Sequence, residues 1–84
     1  MSQTAAHQDH DDPMREKLSR MAGQIAEFFR HLPADEAASE IARHINLYWP
    51  RSMRRDLARL FGPDSPELHP LVRGAWGKFR FPAG

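Results

Sequence analysis

Four of the chain's seven prolines, Pro13, Pro33, Pro50 and Pro70, recur at intervals of 17 to 20 residues. That spacing limits the fold more than any other feature. A proline inside a helix removes a backbone hydrogen bond and clashes with the carbonyl four residues earlier, but it suits the first helical position, where its missing amide is not needed. Each helix must therefore begin or end near a proline. Pro13 opens the first behind Asp12 as N-cap, Pro33 ends it, Pro50 breaks the second and starts the third, Gly62-Pro63 stops the third, and Pro70 opens a short last one.

The segments between the prolines carry helical periodicity. Met14, Leu18, Met21, Ala22, Ile25, Phe28, Phe29 and Leu32 fall within one arc of about 120° at ~100° per residue, which predicts one buried face. The second helix begins near Ala34 with Asp35 and Glu36 in its first turn, and its inward stripe is Ala38, Ile41, Ala42, Ile45, Tyr48 and Trp49. Met53, Leu57, Leu60 and Phe61 form the stripe of the third, and Leu71, Val72, Ala75 and Trp76 that of the fourth. The stretch "GPDSPELHP" is too interrupted for a helix interior, and no segment alternates as a strand would. The fold class is all-α, a small bundle of three to four short helices. Residues 1–11 read as a polar disordered leader, 12–78 as the helical domain and 79–84 as a tail.

Eighty-four residues make one domain at most, and a chain of this size buries only about 60% of its unfolded surface, which favours a partner that covers more. The absence of cysteine excludes disulfides, thiol catalysis and iron–sulfur ligation by this chain. No apolar run approaches a membrane span and no signal peptide precedes the first helix, so the expected location is the cytoplasm, with no membrane partner. Charge is asymmetric: residues 1–42 sum to −4 and residues 43–84 to +5.

No phosphate-binding glycine loop, zinc-binding histidine pair or nucleophile–base arrangement is present, so the sequence carries no catalytic signature, no cofactor site and no metal site. "HQDH" at His7–His10 reads as solvated tail, and His44 as a boundary histidine beside the second helix's apolar stripe. Candidate partner-binding residues lie in the second half. Arg51, Arg55 and Arg59 repeat at every fourth position opposite the third helix's apolar stripe, with Arg54 at its border. Such a row is a solvated face, a docking surface for an acidic protein patch, or a nucleic-acid reader; Asp56 and the acidic first half weigh against phosphate. Leu47 points away from its helix's stripe, and Trp76, Phe79 and Phe81 crowd the C-terminal end, as partner contacts or as a tail folded back on the domain.

Taken in order, "KLSRMAGQIAEFF" (Lys17–Phe29), "IARHI" (Ile41–Ile45), "YWPRSMRR" (Tyr48–Arg55) and "LHPLV" (Leu68–Val72) resemble the delta subunit of the soluble, molybdenum-containing, NAD-dependent formate dehydrogenase. The resemblance spans roughly residues 16 to 76. It implies a non-catalytic accessory subunit that docks on the large catalytic subunit and supports assembly, molybdenum-cofactor retention or stability of the complex. It also implies that bis-molybdopterin guanine dinucleotide, iron–sulfur clusters and FMN reside in partner subunits. The alternative is a small helical nucleic-acid-binding regulator using the Arg51–Arg59 helix.

Overall fold

The computed structural model describes residues 13–83; the N-capping Asp12, the leader and its "HQDH" lie outside the described residues. Four α-helices form among the described residues, with no strand: α1 (Pro13–Phe29), α2 (Ala34–Tyr48), α3 (Arg51–Leu60) and α4 (Pro70–Ala75), followed by a 3₁₀ turn at Trp76–Lys78. The prolines act as punctuation. Pro13 and Pro70 each start a helix, whereas Pro33 and Pro50 hold extended backbone as N-caps of α2 and α3. Pro50 therefore stands one residue outside the helix it was expected to begin. Its fixed φ suits the cap equally well, and its carbonyl accepts the amides of Met53 and Arg54.

α1 packs against α2, α3 and α4, and α2 packs most extensively against α4, then against α1, with a smaller contact to the 3₁₀ turn. Leu18, Ala22 and Ala26 of α1 meet Ile41, Ala42 and Ile45 of α2 and Leu57, Leu68 and Val72 in one core. Alanines on both helices let the backbones approach closely, while each fully buried Leu, Ile or Val contributes about 1.5–3 kcal/mol by leaving water.

Two aromatic residues assigned to inward stripes are instead exposed: Phe28 is 72% and Tyr48 70% accessible. The reason is a shift in helix facing. Burial on α1 centres near Ala22 and Ala26 rather than on the middle of the broader apolar arc, so Phe28, at the arc's edge, turns outward. Tyr48 occupies the corresponding flank of α2 and stacks on His44, with ring centroids 4.9 Å apart.

The loop after α3 makes two consecutive turns. The Ser65 hydroxyl accepts the Gly62 amide at 2.8 Å, and the Leu68 amide donates to the Ser65 carbonyl at 3.2 Å. His69 then caps α4, its Nδ1 accepting the Leu71 amide at 3.1 Å while Nε2 lies 2.8 Å from a carboxylate oxygen of Glu27 on α1. A ring nitrogen that accepts an amide is unprotonated, so the proton sits on Nε2 and is donated to Glu27.

The tail folds back. Phe79 is 7% exposed, Phe81 packs against the core, and both rings contact Trp76 within 6 Å, at 5.8 and 4.9 Å between centroids. Asn46 secures this return, its side-chain amide donating to the Lys78 carbonyl at 3.0 Å and its oxygen accepting the Arg80 amide at 2.8 Å. The bracketed residue between them is Phe79.

Candidate docking surface

The basic corner does not survive as a single cluster. Arg51 and Arg55 are exposed on α3. Arg54, half-buried, bends back instead: its Nε donates to the Trp49 carbonyl at 3.3 Å and its Nη1 to the Arg80 carbonyl, so it ties α3 to the tail. Arg59 is exposed but paired with Asp56 of its own helix at 3.3 Å. Of the aromatic candidates, Phe79 is core, and Trp76 and Phe81 are half-buried around it, so all three take part in holding the tail against the domain. Leu47, at 60% exposure, is the one apolar candidate that faces solvent, and it rims a recess with Arg43, Asn46, Lys78 and Arg80.

A different surface is open. Along one side of the α1–α2 pair runs a groove lined by Met21, Gln24, Ile25, Phe28, Phe29, His44 and Trp49. Because late α1 residues lie beside early α2 residues, and Met21 beside the Trp49 end, the two helices run antiparallel. The uncovered flanks of the two amphipathic helices therefore face each other across the groove. Phe28 stands edge-on to Phe29 with centroids 5.0 Å apart, and His44, stacked on Tyr48, lines the opposite side. At the α1–α2 turn the groove meets a second recess, where Phe28, Phe29 and Leu32 are joined by His31, Asp35, Glu36 and Glu40. That end is acidic.

Sequence reasoning missed this surface by assigning Phe28 and Tyr48 to the core. The available signal was the width of the α1 arc, which places Met21 and Phe28 on one flank and Ala26 beyond the other; one neighbouring helix cannot cover both.

Among the described residues no group of three or more His, Cys, Asp or Glu side chains comes together, and the sequence has no cysteine to supply thiolates to an iron–sulfur cluster. Glu67 is held below the usual glutamate range chiefly by its hydrogen bond from Arg15. Arg15 Nε and Nη2 both reach the same Glu67 oxygen, at 3.1 and 2.7 Å, Nη1 donates to the Leu60 carbonyl at 2.6 Å, and the guanidinium lies 4.5 Å from the Phe61 ring centre. This is a structural fastening of α1 to the end of α3 and the following loop.

A family model described as NADH-dependent formate dehydrogenase delta subunit FdsD matches residues 17–76. No curated protein and no solved structure matches the chain. The matched region contains every residue lining the groove, and three of the four stretches that carry the sequence resemblance supply them.

Proposed function

Because the chain belongs to the NADH-dependent formate dehydrogenase delta-subunit family, we propose that it is a non-catalytic subunit docked on the large catalytic subunit of such a complex. Its contribution is to assembly and integrity of that complex, retention of the molybdenum cofactor included. In this reading bis-molybdopterin guanine dinucleotide, the iron–sulfur clusters and FMN reside in partner subunits, and the complex works in the cytoplasm. The observation that carries the reading is the family match across 60 consecutive residues. It is supported by exposed apolar side chains beyond what so small a domain needs for its own core. No helix of the described residues is long and apolar enough to cross a membrane, which is compatible with a complex free of the bilayer. Leu47 and the exposed Arg51 and Arg55 offer further apolar and cationic points to a partner. The nucleic-acid alternative loses support, since Arg54 is engaged within the fold and Arg59 is paired with Asp56.

The test is capture of the tagged full chain from its own cell, followed by protein, molybdenum, iron and flavin analysis of the eluate. The expected result is co-purification of a formate-oxidising enzyme in fixed stoichiometry, and a lower molybdenum content or activity of that enzyme when the chain is deleted. Recovery of the chain without any formate dehydrogenase subunit, or an enzyme with full activity, molybdenum content and heat resistance in the deletion strain, would overturn the reading.

A further inference from the structure

We infer that the open groove between α1 and α2 seats one amphipathic helix of a partner protein, with the partner's apolar stripe along Met21, Ile25, Phe28 and Trp49 and a lysine or arginine at one end facing Asp35, Glu36 and Glu40. The inference rests on the docking role above only for the partner's identity; the groove defines the partner's chemistry by itself.

Three observations carry it. The first is the mismatch between amphipathicity and burial. The apolar arc of α1 extends through Met21 and Phe28, while the side chains that the domain itself buries lie towards Ala22 and Ala26. The matching flank of α2 carries His44 and the exposed Tyr48. Two helices with apolar flanks left uncovered on the same side form the two walls of a three-helix contact whose third member is missing.

The second is shape. A trough between antiparallel helices accepts another helix by ridge-into-groove packing, whereas an extended strand would leave most of its backbone amides unpaired against Met21, Ile25, Phe28 and Phe29, which offer only side-chain carbon and sulfur.

The third is charge. Asp35 and Glu36 are exposed in the first turn of α2 and form no ion pair among the described residues, and Glu40 reaches Arg43 only at 3.8 Å. Their position suits the positive end of α2, yet their outer surfaces remain open, and no lysine or arginine is among the residues lining that recess. A cationic side chain, or the positive N-terminal end of the incoming helix, satisfies both the apolar trough and its acidic rim.

The experiment places the photoreactive residue benzoylphenylalanine at Gln24 or at Phe28 of the full chain, and at the exposed Arg20 as control, in the cell that makes it. After irradiation the cross-linked segment is identified by mass spectrometry. Expected is one major product from positions 24 and 28 and none from 20, joined to a segment with apolar residues at helical spacing and a Lys or Arg at one end. Combining either label with Asp35→Asn and Glu36→Gln should lower the yield at least about threefold, with circular dichroism unchanged and melting lowered only by the lost helix-dipole contribution of the two carboxylates. Cross-linking to a second copy of the chain, to a segment without helical apolar spacing, no product from positions 24 and 28, or an undiminished yield in the neutralised variant would each overturn the inference. A helical segment from a protein other than formate dehydrogenase would sustain the groove and overturn the function reading. Co-purified formate dehydrogenase with no groove product would do the reverse.

Discussion

Arg54 and Arg55 are neighbours with the same side chain and opposite roles. The difference comes from a carbonyl 26 residues away: Arg54 reaches Arg80, and Arg55 reaches solvent. Asn46 makes the second tie on the same segment, with one donated and one accepted bond flanking Phe79. Asn46→Ala removes both bonds and should cost about 1–3 kcal/mol, read as a lower urea midpoint. It should also speed tryptic cleavage after Lys78 and Arg80, because the return of the tail then depends on ring packing alone. Arg54→Ala should accelerate the same cleavages, whereas Arg55→Ala should leave them at the wild-type rate. Equal rates for all three variants would mean that the rings suffice to hold the tail. Helical register separates the two arginines only as outer face and border; Arg54's partner is set by a contact that exists only after the chain has folded back.

At the scale of elements, α4 shows how a short helix is held. Six residues are too few to be stable alone, so the cap and the packing of Leu68, Val72 and Ala75 must supply what propensity does not. His69→Ala removes the acceptor for the Leu71 amide and the link to Glu27 together and should cost about 0.5–2 kcal/mol, while His69→Asn, which restores a capping oxygen, should recover part of the loss in thermal melts. An alanine variant as stable as wild type would show that packing alone positions α4. The existence and order of the helices were legible because prolines and 3.6-residue periodicity act locally: Pro13 and Pro70 open helices as expected, and Ile41, Ala42, Ile45 and Leu57 are buried as their spacing requires. Which part of a wide apolar arc meets a neighbour is not local. Phe28 and Tyr48 belong to their arcs by angle, yet they lie outside the core because α3, α4 and the tail cover other sides of the α1–α2 pair. The candidate docking surface was therefore legible only as an excess of apolar side chains. Its location depended on tertiary packing, which also drew Trp76, Phe79 and Phe81 inward.

Across the whole molecule, Arg15 joins parts that the sequence separates by 45 and 52 residues, at Leu60 and Glu67. Glu67 is held below its ordinary value, so the stabilisation from this pair is fully present above about pH 4.5 and is lost as pH falls through the lower value of the folded state. Wild type should therefore be more stable than Glu67→Gln at neutral pH, by a margin kept small by the pair's exposure to solvent, and the two should converge in acid. A gap that persists unchanged at pH 3 would assign the effect to packing. The bracket around Phe79 acts on a different clock. α1 and α2 leave the ribosome first, yet the site that receives Phe79 joins Asn46 to backbone 32 and 34 residues later. The nascent helical pair thus emerges with an unfinished core, and closure must wait until residues 78–81 are free to swing back. Birth order and folding order are opposed in this chain, which makes the interval before release the moment when its apolar surface is most open to chaperones or to a partner subunit arriving early.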